Sequence, residues 1–164
     1  MENQTQTQAR PTFLTVICII SFVGLGLSII NNLFSIAFGA FSSTFYPFIQ
    51  DGMEQALNEV SASDPAASAL MEQIFSSVLK VFEVMPILAS IGLTLAIIAL
   101  VGVIMMWKLN KTGFYLYAGA KVIMIFYPMI LIGVNFISTI AAASGFFVAA
   151  LFITMYALNL RSMK

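Results

Sequence analysis

No charged residue lies between Arg10 and Asp51, and the apolar run that opens at Phe13, FLTVICIISFVGLGLSIINNLFSIAFGAF, outlasts what a soluble core helix needs. At 1.5 Å per residue it is long enough to cross a hydrocarbon layer of about 30 Å with residues to spare. A second uncharged run, Val84 to Trp107, is bounded by Glu83 and Lys108. From Thr112 to Leu160 the one charge is Lys121, and this stretch is about twice the ~20 residues of a single span. The segment GVNFIST, 133–139, divides it, because Gly133, Asn135, Ser138 and Thr139 supply turn chemistry.

The chain therefore reads as an all-α integral membrane protein with four transmembrane helices and a helical extracytoplasmic insertion between the first and second. The expected divisions are a cytoplasmic tail 1–12, spans 13–41 and 84–107 flanking a helical loop 42–83, and a cytoplasmic loop 108–113. A span 114–134, an outer turn 135–139, a span 140–160 and a tail 161–164 complete the chain. Composition agrees: 60% of residues are hydrophobic and 9% charged, against about 45–50% and 25% in soluble domains.

Orientation follows from the basic residues. Arg10, Lys108, Lys111, Arg161 and Lys164 fall in the two tails and the second connection, whereas the first long loop holds Lys80 alone. The positive-inside bias places both termini in the cytoplasm. The run after Arg10 is too long for the apolar core of a cleaved signal peptide.

The insertion carries helical periodicity. Ile49, Met53, Ala56, Leu57 and Val60 recur at helix spacing, and Asp64-Pro65 then reads as an N-cap with proline in the first turn. Leu70, Met71, Ile74, Phe75, Val78 and Phe82 form the apolar face of the next helix, which can run on into the second span through Pro86. A cap over the bundle's outer end and a docking face for a partner are the two readings of this insertion.

Within the first span Ser21, Gly24, Ser28, Asn31 and Ser35 follow spacings of three and four, which stacks them on one face as a candidate helix-packing seam. Gly92, Ala96 and Ala99 form a similar patch in the second span. Gly145 with Ala149, and Ala150 with Thr154 and Ala157, do so in the fourth.

The sequence offers no catalytic, cofactor or metal set. Histidine is absent, the single cysteine is Cys18, and no Asp or Glu occurs in any expected span. The commonest general base and metal ligand are thus missing, as are the intramembrane carboxylates of proton-coupled carriers. No basic block points to nucleic acid.

Lys121 is the one ionisable residue inside a span, where a lysine costs up to about 2.5–3.5 kcal/mol at the helix centre. Helix side chains lean toward the N-terminus, so its stem can carry the ammonium back past Tyr117 toward the cytoplasmic interface. Snorkelling to headgroups, contact of Lys121 and Tyr117 with a lipid or anion, and an ion pathway all remain open. Pro128, seven residues on, removes one backbone donor from the same face.

The segments ARPTFLTVICIISFVGLGL, 9–27, and NKTGFYLYAGAK, 110–121, resemble small four-span membrane proteins of Bacteroidota. The resemblance implies a bacterial inner membrane and four helices, and carries over no site. The expected role is a non-enzymatic accessory or assembly subunit of a larger inner-membrane complex. The bilayer and other membrane subunits, or further copies of the chain, would then be its partners. A small transporter or channel for an ion or anionic solute is the alternative.

Overall fold

Backbone N–H and C=O groups find no water in hydrocarbon, so a chain this apolar must satisfy them within its own helices. The computed structural model describes residues 11–63 and 65–163, and these form four α-helices and a short terminal turn. Helix α1 spans Thr12–Ser63, α2 Pro65–Trp107, α3 Thr112–Ile132 and α4 Phe136–Ala157, followed by a 3₁₀ turn Leu160–Ser162. Each helix contains a stretch long and apolar enough to cross a membrane. Arg10, Lys164 and the expected Asp64 cap lie outside the described residues.

Two boundaries differ from the sequence expectation. Helix α1 does not stop near residue 41 but runs on to Ser63 with Pro47 inside it, whereas the helix expected from Pro65 does continue through Pro86 into the second span. Helix α4 begins at Phe136, not 140, so the turn is confined to residues 133–135. The reason is local. Gly133 takes φ 87°, and Asn135 caps α4 by accepting from Ser138 N–H at 2.9 Å. The Ser138 hydroxyl accepts the Asn135 N–H at 2.9 Å and donates to the Gly133 carbonyl at 2.7 Å. Ser138 is a capping-box residue inside the helix and no part of a loose loop.

The other connection is a Schellman turn. Leu109 N–H bonds to Met106 O at 2.9 Å and Asn110 N–H to Met105 O at 3.0 Å, with Leu109 at φ 62°. Asn110 Oδ1 then accepts the Thr112 N–H at 2.9 Å and starts α3. Leucine replaces the usual glycine, and its side chain packs on the core as compensation.

Helix α2 lies at the centre, with α1 along one side and α3 along the other, while α4 packs mainly on α3. The core gathers where all four helices meet, at the end that carries both termini: Leu14, Ile17, Cys18 and Leu25, then Ala99, Val103 and Met106, with Tyr117, Ala120, Tyr156 and Met163. Met163 joins it because the terminal turn folds the chain back. Large apolar side chains also cover the outside, among them Val23, Leu27, Ile30, Ile97, Val101, Phe126, Ile130, Phe147 and Leu151. Such a surface belongs in lipid, not in water.

The expected patch of Gly92, Ala96 and Ala99 is buried, and its continuation makes the tightest contact in the bundle. A Cβ at Gly102 would stand 2.8 Å from Gly113 O and 2.9 Å from Tyr117 N; one at Gly113 would press on Gly102 O and lie 2.8 Å from Met106 N. The backbones of α2 and α3 touch there, which only paired glycines permit. Farther along, Gly92 admits Asn32 Oδ1 and the Tyr127 hydroxyl, and Gly39 admits the Pro86 ring.

At the end opposite the termini, Lys80 Nζ comes within 3.8 Å of the position a Gly133 Cβ would occupy, so α2 passes the α3–α4 turn near Lys80. The fifteen residues from there to Pro65 carry the α1–α2 hairpin about 22 Å beyond the turn. Ile49, Met53, Ala56, Leu57 and Val60 are half-buried in this arm, as are Met71, Ile74, Phe75, Val78 and Phe82 of its second helix, whereas Leu70, expected on the same apolar face, is exposed. The insertion is therefore a projecting two-helix arm, not a cap over the bundle.

Replacing Gly113 or Gly102 with alanine should destabilise the protein by about 1–3 kcal/mol, since backbone must move to admit the methyl group. Gly119→Ala, with no atom within 4 Å, should be neutral or stabilising by up to about 1 kcal/mol. Unfolding by SDS titration from mild detergent micelles measures both.

Candidate functional site

The α2–α3 glycine contact fixes the next turn of α3. Tyr117 is buried against Gly102, one turn beyond Gly113, and its ring meets the Tyr156 ring edge-on, with centroids 5.2 Å apart. The Tyr156 hydroxyl, fully enclosed, donates to Ser21 Oγ at 2.8 Å. One aromatic pair and one hydrogen bond thus join α1, α3 and α4 at the end of the termini.

Lys121 stands one turn further along α3. Its Nζ lies 5.7 Å from the centroid of the Tyr117 ring, which is the backward lean expected of a helix side chain and within reach of a cation–π interaction. The residue is half-buried beside this ring. The carboxylates within the spans, Glu72 and Glu83 of α2, lie by the α3–α4 turn near Lys80 or beyond it, so none is placed to neutralise Lys121.

Two clefts meet at Lys121 and Val148. The larger, about 390 Å³, lies between α3 and α4; Lys121, Ile125 and Pro128 face Ala141, Ser144 and Gly145 across it. The smaller, about 210 Å³, runs from Lys121 and Tyr117 to Ser21 and Gly24 of α1, with Phe152 of α4 on its far wall. They exist because α4 leans on α3 and barely touches α1 or α2. The small residues Ala141, Ser144 and Gly145 leave the slot open, whereas Ala149 closes onto the bundle.

Of the residues singled out from sequence, Lys121 and Tyr117 are brought together. Tyr117 is a buried wall with its ring face turned to the ammonium, not an open stepping stone to the interface. The α1 seam is divided. Ser21 is buried in a helix contact, but a Cβ at Gly24 would meet nothing within 4 Å, and Gly24 lines the smaller cleft instead. Asn31 and Ser35 line another cleft, about 220 Å³, beside Tyr127. Ser28 is half-buried and accepts, through its carbonyl, from Asn32 Nδ2 at 2.7 Å. In the fourth helix Gly145 packs near Ile125, while Thr154 and Ala157 are exposed.

Asn32, Tyr127, Tyr156 and the Gly102–Gly113 pair carry contacts that the sequence reading did not single out. Gly102 was within reach, three residues past Ala99 on the same small-residue face. Asn32 differs from Asn31 by one position, hence by about 100° of helix rotation, which the polar spacing alone did not resolve. No protein-family model matches the chain, and comparison with curated proteins and with solved structures finds no match to it.

The Tyr156–Ser21 hydrogen bond should show coupling in a double-mutant cycle of Tyr156→Phe and Ser21→Ala, about 0.6 kcal/mol and at most about 1.7. Lys121→Leu, which removes a charge with no paired carboxylate, should leave stability unchanged or higher. Both are read by the same detergent unfolding assay.

Proposed function

We propose that this chain is a non-enzymatic accessory or assembly subunit of a larger bacterial inner-membrane complex, with both termini cytoplasmic and the α1–α2 arm outside the membrane. The observation that carries this reading is the arm itself. Two helices extend about 22 Å beyond the α3–α4 turn, and half-buried apolar residues such as Met53, Leu57, Ile74 and Phe75 line the arm. Its described charges, Asp51, Glu54, Glu59, Glu72 and Lys80, are all exposed. Four carboxylates against one ammonium give it an acidic character suited to selecting a basic partner surface. Phe48 at 79% exposure and Leu70 at 59% add apolar contact points to the same arm.

The orientation rests on Lys108, Lys111 and Arg161, which lie at the end of the termini. The resemblance to four-span proteins of Bacteroidota supports the inner membrane. A small transporter or channel is the second reading, favoured by the two clefts that meet at the lone intramembrane charge. Flux in reconstituted vesicles that Lys121→Ala abolishes and Lys121→Arg retains would establish it in place of the first.

A photo-crosslinking residue at Glu54 or Glu72 in native membranes should capture one defined protein in near-stoichiometric yield, another subunit or a second copy of the chain. The same probe at Ile97 or Val101, on the lipid-facing surface, should capture none. Equal, diffuse labelling from all four positions would contradict an arm that meets a partner.

A further inference from the structure

We infer that a partner's membrane-spanning helix docks over the furrow between α3 and α4 and pairs an aspartate or glutamate at mid-membrane with Lys121, which rests on the subunit role proposed above and names what the partner carries there.

Lys121 stands nine residues on from Thr112 and eleven short of Ile132, so its backbone lies about 14 Å from one end of α3 and about 16 Å from the other. A helix of 21 residues is about as long as the hydrocarbon is thick, which puts Lys121 at mid-depth. Its ammonium leans back over the Tyr117 ring, 5.7 Å from the centroid, and one turn of lean gains about 5 Å. The charge stays in hydrocarbon, against a ring that is itself buried. An ammonium at that depth is stabilised by a partner of opposite charge.

The chain does not provide that partner. The carboxylates within the candidate spans, Glu72 and Glu83, lie near Lys80 or beyond it, and Lys80 stands beside Gly133, twelve residues along from Lys121. A second copy, whichever way up, carries its carboxylates equally far from mid-depth. A lipid phosphodiester lies with the headgroups, about 15 Å from the midplane. A water-borne ion has no polar route along the furrow, whose walls are apolar apart from Ser144, and that hydroxyl already donates to Ala141 O at 3.0 Å. A carboxylate carried into the membrane on another helix meets the charge at its own depth.

The furrow has the form of a seat for such a helix. It starts at Lys121 and runs toward the α3–α4 turn as far as Pro128 and Ala141, about 10 Å or two helical turns. Contact between α3 and α4 sets its floor, where a Cβ on Gly145 would stand 3.7 Å from Ile125 Cγ1. On the α4 side Ala141, Ser144 and Gly145 keep the wall low, and Ala141 and Ser144 are exposed. Small residues let a further helix approach closely in lipid, and its side chains fill the furrow as a ridge fills a groove.

A photo-crosslinking residue at Ser144, in the full chain and in native membranes, tests the pairing. The adduct should contain an apolar segment of another protein, long enough to span the membrane, with an Asp or Glu near its centre. Lys121→Gln should lower the yield about tenfold, and Lys121→Arg should retain it. Ala141→Phe, which fills the furrow from an exposed position, should lower the yield with Lys121 intact. Thermal melting in mild detergent confirms that each variant is folded. Adducts with lipid alone, with a second copy of the chain or with a segment that lacks a carboxylate would overturn the inference, as would a yield unchanged by Lys121→Gln. The crosslink from Glu54 in the same membranes separates the two readings. A partner captured there alongside any of those results leaves the subunit role standing without the Lys121 pairing, whereas loss of both crosslinks removes the two together.

Discussion

Two glycines facing each other hold this molecule in register. Gly102 and Gly113 let the backbones of α2 and α3 touch, and in lipid such van der Waals contact supplies what the hydrophobic effect supplies in water. The contact also sets the height and rotation of Tyr117, which lies directly against Gly102. Tyr117 in turn carries the Lys121 ammonium on its face and the Tyr156 ring on its edge, and Tyr156 reaches α1 through Ser21. The chain of dependence runs from a missing pair of Cβ atoms to the position of the Lys121 ammonium.

The consequence is an uneven bundle. Packing is dense where these contacts gather, near the termini, and thins toward the other end, where α4 keeps to α3 and leaves clefts on either side of Lys121. The longer α1 and α2 leave the bundle together as the acidic arm.

Much of this was legible in the sequence, for a physical reason. Hydrophobic length and the absence of charge mark a membrane helix strongly, so the four helices stand out, as does the lone Lys121. The faces of Met53, Leu57, Ile74 and Phe75 also showed in the 3.6-residue period. What escaped was whatever depends on partners. The seam from Ser21 to Ser35 predicted close packing throughout, yet α1 uses Ser21 and Asn32 for contact and leaves Gly24 open, because α4 does not lie along it. The capping role of Ser138 and the continuity of α1 through Pro47 hinge on its reciprocal hydrogen bonds with Asn135 and on a tolerated proline. Composition cannot weigh either.

The account turns on whether the space beside Lys121 opens to lipid or to water. A spin label at Ser144, in a Cys18→Ala background and in lipid bilayers, reports this through its collision rates with oxygen and with a water-soluble nickel chelate. A lipid-open cleft gives high oxygen and low nickel accessibility. The reverse ratio would reveal a water-filled path and contradict a lipid-open cleft, in favour of the transporter reading.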